Sequence, residues 1–309
     1  MHKLRFGAEV HRVTNKSGWP ATVQEIEDWG YSSVCIPDHF YTELAVIPAL
    51  MAAGMATSTL TLSSHVLCNT FRHPLVLAKE AATIDLLSGG RLELGVGAGW
   101  HSAEHEAAGI ELPSPQARVV LLEECVRIIK AAFTGQPFSF SGTYFTVSDY
   151  SGLPHPVHAD GPSILIGGGS QKVLSIAAEL ADIVSVNFAL QSGAVDARSL
   201  ASGSLRATRQ KLRWIEQAAS IASKAPEISV RVNNTIVTDA REKALARLAK
   251  ASGTSAEILD ESPHVLCGSL RKIRDDILFR RNELGISYFV IPEDGYRDIN
   301  KIVDELAEG

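Results

Sequence analysis

The run Ser88-Gly89-Gly90-Arg91-Leu92-Glu93-Leu94-Gly95-Val96-Gly97-Ala98-Gly99-Trp100 decides how the rest of the chain is arranged. Leu92, Leu94 and Val96 are apolar and are separated by Glu93, Gly95 and Gly97, a pattern that reads as a short strand whose backbone something else approaches closely. Gly95, Gly97 and Gly99 recur at every second position. On a strand this removes three side chains from one face and bares the backbone there. A flat ring can lie against such a face; a close strand-to-helix contact is the plainer alternative.

Three strand-helix units precede this run. The first is a strand over residues 4–10 followed by a helix over 19–29, with Pro20 in its first turn and Gly30 as its stop. The second is a strand over 32–36 that ends at Pro37-Asp38-His39-Phe40, followed by an alanine- and leucine-rich helix over 46–56. The third is a strand over 60–67, a loop over 68–73, and a helix opened by Pro74 with Leu75, Ala78, Ala82 and Leu86 on one face, which Gly89 and Gly90 end. The glycine-rich strand is therefore the fourth, and a long helix after Pro115 completes its unit.

Beyond that helix the period lapses, and Phe138-Ser139-Phe140-Ser141-Gly142-Thr143-Tyr144-Phe145 reads as an inserted hairpin. A fifth strand over 163–166 stops at Gly167-Gly168-Gly169-Ser170, and its helix carries Val173, Leu174, Ala177 and Leu180. A sixth strand follows over 183–186. Residues 188–204, rich in Ser, Gly and Ala, read as a loop rather than an element and would suit a lid. A helix through Leu212, Ile215 and Ala219 leads to strand seven over 228–237. Further helices run to Leu284, before strand eight over 288–291 and a closing helix over 299–306.

Strands alternating with helices imply a parallel sheet with right-handed crossovers, and eight units close most economically into a (β/α)8 TIM barrel, here one domain over residues 1–309. A doubly wound open sheet is the rival. It calls for a GxGxxG turn after the first strand, where this chain has Glu9-Val10-His11, and the later glycine run has Trp100 where the third glycine belongs. With 45% hydrophobic and 21% charged residues, the 309-residue chain has ample material for a buried core and lacks any apolar run of membrane length. A net charge of −6 and the lack of a basic stripe argue against nucleic acid. Cys35, Cys68, Cys125 and Cys267 are scattered without metal or CxxC spacing and read as free thiols; with no secretory signal in view, the expected location is the cytoplasm.

In a barrel the loops after each strand gather at one mouth, where Asp38 and His39, residues 65–73, residues 97–104, residues 167–170 and Asn187 would converge. Ser170, opening a helix after three glycines, offers free N–H groups, the helix dipole and a hydroxyl to an anion such as phosphate; an ordinary serine cap explains the local sequence equally well. Asp38 and His39 fit a solvated loop pair as well as a catalytic one. His155 and His158 flank Pro156 with no third ligand, so no metal is expected. His101 and His105 can share a helical face beside Glu104 and Glu106.

Extended back to Leu86 and Leu87, the opening run resembles the signature of the bacterial luciferase-like superfamily. Pro37-Asp38-His39, Phe71-Arg72-His73-Pro74 with Ala78-Lys79-Glu80, Ile166-Gly167-Gly168-Gly169-Ser170 and Ala181-Asp182 are similar to its branch that uses coenzyme F420. The resemblance implies a barrel that holds a deazaflavin, or alternatively FMN, at its mouth. By the same carry-over, Asp38, Cys68, Asn69, Ala98 and Gly99 line the ring and ribityl chain, and Gly168, Gly169 and Ser170 take the phosphate. His39 matches the proton-transfer histidine of members that oxidise sugar phosphates. Those members have a glutamate directly after the GxG, where this chain has Trp100, and the departure argues against that substrate. The resemblance also implies a cis peptide bond at His65-Val66, forming a bulge behind the ring, although the sequence alone assigns trans to a bond not followed by proline.

The expected activity is therefore F420-dependent reduction of a C=C or C=O group in a small molecule. FMN-dependent monooxygenation is the alternative, and a barrel that binds its ligand without turnover is the third reading. The family's habits add a homodimer and, indirectly, a cofactor-reducing enzyme as partners.

Overall fold

The computed structural model describes residues 2–190, 193 and 195–307. Eight parallel strands form its centre: β1 (Arg5–Glu9), β2 (Ser33–Ile36), β3 (Thr61–Ser64), β4 (Leu92–Gly97), β5 (Ser163–Gly168), β6 (Ile183–Val186), β7 (Glu227–Arg231) and β8 (Ile286–Ile291). Each pairs with the next in chain order, β8 pairs with β1 through Arg5↔Tyr288 to Ala8↔Ile291, and β3 meets β4 at Leu62↔Leu92 and Ser63↔Glu93. The sheet is thus a closed (β/α)8 barrel.

Strands covered on both sides have no polar face, which is why Ser33–Ile36 and Ile286–Ile291 are buried throughout. The main core fills the layer between strands and helices, and a smaller cluster of Cys35, Leu165, Ile183, Tyr288 and Val290 fills the barrel itself, with Val66 packed on it. Below that cluster, Arg5 bridges Glu93 and Glu227 at 2.8 and 2.7 Å and lies 3.6 Å from the centre of the Tyr288 ring. This layer plugs the end where the strands begin, so the open mouth is at their C-terminal ends.

Local chemistry sets the helix limits. Pro74 starts the helix Pro74–Ser88, His73 caps it by accepting from the Leu75 N–H, and Gly89, at φ 71°, ends it. The expected hairpin pairs Phe138–Ser141 with Thr146–Tyr150, and the Glu124 carboxylate accepts the N–H groups of Thr143, Tyr144 and Phe145 at its turn. All four cysteines are free and buried. Among the described residues no helix is long and apolar enough to cross a membrane.

Four expectations need correction. The third strand does not run unbroken over 60–67: the His65–Val66 bond is cis, as the resemblance implies, and the strand resumes as Leu67–Cys68 against Val96 and Gly97. Strand seven splits in two. After Arg231 the chain leaves the barrel, and Asn234–Val237 pairs with Val265–Gly268 in a separate parallel ribbon. The 188–204 segment contains a helix, Ala197–Ala201, whose capping box joins Asp196 to Ser199; Gln191, Ser192 and Ala194 lie outside the described residues.

The last correction concerns the bare face of β4. A Cβ on Gly95 would lie 1.9 Å from the Ser64 carbonyl oxygen, and one on Gly97 would lie 2.7 Å from a Val66 methyl. These glycines make room for the bulge of the neighbouring strand. A ring can therefore rest on the bulge, one layer removed from the glycines.

Candidate active site

The C-terminal loops enclose a cavity of about 780 Å³. Its lining includes ten of the eleven expected cofactor and proton-transfer residues: His39 and Asp38 after β2, His65, Val66 and Cys68 at the bulge, Ala98 and Gly99 after β4, and Gly168, Gly169 and Ser170 after β5, with Asn69 the residue that does not line it. Asn69 is 4% exposed and pairs its N–H with the Gly97 carbonyl, while both polar atoms of its side chain are buried without a partner.

Asp38 is committed to the protein. Its carboxylate takes both ends of the Arg72 guanidinium, with Nη2 at 3.0 Å, and also accepts the Cys68 N–H at 3.0 Å. It locks the β2 loop to the bulge. Cys68 Sγ lies 3.0 Å from Thr70 Oγ1, which lies 2.8 Å from His105 Nε2; burial pushes the thiol pKa up, so this sulfur is a packing group and a weak donor rather than a nucleophile.

His39 is differently placed. Its Nδ1 lies 2.9 Å from Glu104 Oε2, and the other carboxylate oxygen accepts the Phe40 N–H. Glu104 sits in the first turn of the helix Ser102–Ala108, which His101 caps, and it is 7% exposed. Tyr41 stacks on the imidazole at 4.5 Å between centroids and Trp100 meets it edge-on at 5.9 Å. A carboxylate that holds Nδ1–H fixes the tautomer, leaving Nε2 as the nitrogen that exchanges a proton with a ligand.

At β5, Ser170 caps the helix Gln171–Leu180 by accepting from the Val173 N–H at 3.4 Å. The preceding N–H groups, of Gln171 and Lys172, are among those a helix leaves without internal partners. Lys172 and Arg118 also line the cavity and add positive charge to its wall. A Cβ on Gly169 would lie 2.1 Å from the Phe188 carbonyl oxygen, so this glycine allows two loops to touch.

Several lining residues escaped sequence reasoning. Glu104 was visible as a neighbour of His101 and His105 without an assigned role. Glu9 and His11 end β1 and, two apart, share a face; Arg231 ends β7 in a segment without a motif. Strand-end position was the one signal available for all three. His155 and His158 contribute nothing to the cavity, and among the described residues no group of His, Cys, Asp or Glu could hold a metal.

Residues 5–277 match the family model described as luciferase-like monooxygenase. An FMNH2-dependent dimethylsulfone monooxygenase of Pseudomonas putida is 28% identical over 180 residues, 58% of this chain and 47% of that protein. An F420-dependent glucose-6-phosphate dehydrogenase of Microbacterium testaceum is 30% identical over 191 residues, 58% of this chain and 55% of that protein. The chain thus spans about half the length of the curated relatives it matches. Among solved structures, an F420-dependent secondary alcohol dehydrogenase superposes with a TM-score of 0.78 at 20% identity, covering 99% of this chain and 98% of that one. The coenzyme F420 dependent tetrahydromethanopterin reductase of Methanopyrus kandleri gives 0.74 at 18% identity, covering 99% and 98%. At these identities the likeness is one of fold.

Proposed function

Because this chain belongs to the luciferase-like monooxygenase family, we propose that it is an F420-dependent oxidoreductase that reduces a C=C or C=O group of a small organic molecule. The observation that carries the reading is the His39–Glu104 pair on the wall of a cavity floored by the His65–Val66 bulge. When bound, a deazaflavin supplies a hydride. What the protein must add is a proton at one defined atom, a dry pocket and a fixed substrate.

The residues present fit such a group. A cavity of about 780 Å³ lies within the range that cofactor sites occupy. Val66, Leu67 and Cys68 offer an apolar floor for a ring, and Ala98 and Gly99 offer a side wall with little bulk. Ser170 with the N–H groups of Gln171 and Lys172, and the Lys172 and Arg118 cations, would hold a phosphate. His39 Nε2 would exchange the proton, Glu104 would keep Nδ1 protonated, and Tyr41 and Trp100 would exclude water from the imidazole.

FMN-dependent monooxygenation is the second reading, favoured by the FMNH2-dependent relative. F420 is preferred because the F420-dependent dehydrogenase relatives reach 34% identity, over 134 residues. The proposal also requires a separate enzyme that returns the deazaflavin to its reduced form. Titration of the protein with F420 and with FMN, read by tryptophan fluorescence, tests it. Saturable F420 binding with no oxygen uptake is expected; binding of FMN alone, with oxygen consumed by the reduced form, refutes it.

A further inference from the structure

Four strands from β5 in either direction around the closed barrel, β1 ends in a polar cluster that the reading above leaves without a task. Glu9 is wholly buried, yet its carboxylate meets three cationic or protonatable groups. Arg231 Nε donates to Oε2 at 2.7 Å and its Nη2 donates to Oε1; His11 Nε2 lies 2.9 Å from Oε1 and His65 Nδ1 lies 3.5 Å from Oε2. Arg231 Nη1 also donates to Asn233 Oδ1 at 2.7 Å. Glu9, His11, His65, Arg231 and Asn233 all line the cavity.

The charges do not cancel once a histidine is protonated. Glu9 neutralises Arg231, so a proton on His11 leaves the cluster positive. The hydrogen bond to Glu9 raises the His11 pKa against the effect of burial, which favours that proton. The remaining acids on the cavity wall are already engaged, Asp38 by Arg72 and Glu104 by His39. A guanidinium has five N–H donors, and the bonds to Glu9 and Asn233 use one on each of its three nitrogens, leaving one free on each terminal nitrogen. His11, Tyr41, Arg231 and Asn233 also line an adjoining hollow of about 370 Å³ whose other lining includes Glu43, Glu293 and Asp294. The cluster is thus a partition, with acids behind it and bonded acids before it.

We infer that His11 and Arg231 form a subsite for the carboxylate of the substrate, so that the molecule reduced is an organic acid with its C=C or C=O bond close to the acid group. The inference rests on the hydride-transfer reading for its reaction and on the cluster alone for its ligand. Lying across the barrel from the loop proposed to hold the phosphate, the subsite fixes one end of the substrate while His39 faces the bond to be reduced.

Cinnamate and its neutral isostere cinnamamide test this by calorimetric titration, each with and without saturating F420. Wild-type protein is expected to bind the acid at least about tenfold more tightly, as for hydrogen bonds to a charged group. His11→Gln and Arg231→Lys should each erase most of that preference, with circular dichroism confirming the fold. His11, at the edge of the cluster, carries the test should Arg231→Lys fail to fold. Cinnamate bound instead at the Lys172 end would keep its preference in both variants. Equal affinity for acid and amide, no saturable binding of cinnamate, or a preference that survives His11→Gln overturns the subsite. If F420 does not bind but the acid preference and its loss in His11→Gln persist, the subsite stands and the cofactor reading falls; F420 binding without acid preference gives the reverse.

Discussion

Glu104→Gln asks the sharpest question of the active site because the wild-type carboxylate accepts at both oxygens. One takes the proton of His39 Nδ1 at 2.9 Å and the other takes the Phe40 N–H. An amide has one oxygen and one NH2 group. With its oxygen toward Phe40, the NH2 group donates to His39 Nδ1 and excludes a proton from that nitrogen, so the doubly protonated ring that would give a proton to the substrate is disfavoured. With its oxygen toward His39, the tautomer survives but the NH2 group confronts the Phe40 N–H. Either way one buried charge-assisted bond is lost, worth about 1.5–3 kcal/mol, or roughly tenfold to a hundredfold in kcat if the lost stabilisation is felt in the transition state. KM should change little, since Glu104 acts through His39. Long-range nitrogen NMR of histidine-labelled protein reads the tautomer without any substrate, and single-turnover kinetics on a compound found by screening gives the rate. A variant with the wild-type His39 tautomer, pH profile and kcat would refute the positioning role.

Three other outcomes are expected. His39→Ala should bind F420 with nearly unchanged affinity while kcat falls by about 10²–10⁴, checked by fluorescence titration beside turnover. Gly95→Ala puts a Cβ 1.9 Å from the Ser64 carbonyl oxygen, beyond what a side-chain adjustment can relieve, and should lower stability by about 1–3 kcal/mol or more in urea denaturation. Lys211 is 2% exposed, donates to the Asn187 and Ser202 carbonyls, and has its pKa lowered by burial to about 8 from 10.5. The unfolded chain then binds the extra proton between those values, so this site costs about 3 kcal/mol below pH 8 and the cost is removed as pH rises to 10.5; Lys211→Met should abolish that rise relative to wild type.

The barrel was legible because its strands are short apolar runs followed by helices with proline starts and glycine stops, signals that depend only on neighbours in sequence. Val46–Ala56 and Ile183–Val186 fall on the expected residues for that reason. The errors have physical causes of the opposite kind. Val265–Gly268 is four buried residues within a stretch rich in helix formers, and it is a strand because Asn234–Val237 leaves the barrel to pair with it. Residues 228–237 carry no break that local chemistry reveals; the departure follows from Asn233, whose N–H turns to the His264 carbonyl at 2.7 Å. Ala197–Ala201 was hidden by its length of five residues and is held by the Asp196 and Ser199 caps rather than by an apolar stripe.

The candidate site divides along the same line. Residues in local patterns, such as Gly168 and Ser170 before a helix or Asp38 and His39 after a strand, could be singled out from the chain, with their roles supplied by resemblance. Glu9, His11 and Arg231 lie up to 222 positions apart in sequence and acquire meaning only when β1 and β7 bring Arg231 and His11 each within 3 Å of the Glu9 carboxylate. The Glu104–His39 contact spans 65 positions and depends on the turn of a seven-residue helix. Two glutamate–histidine pairs on one cavity give the mouth two distinct capacities, an imidazole held in one tautomer and a cationic patch fixed by a buried carboxylate. A reaction that needs one proton has use for the first as its donor, and the second is then free to hold the substrate. Exchanging these roles would leave His11, tied to Glu9 and Arg231, to move a proton while His39, flanked by Tyr41 and Trp100, bound a charge among aromatic rings; His11→Gln losing turnover but keeping acid preference would reveal that arrangement.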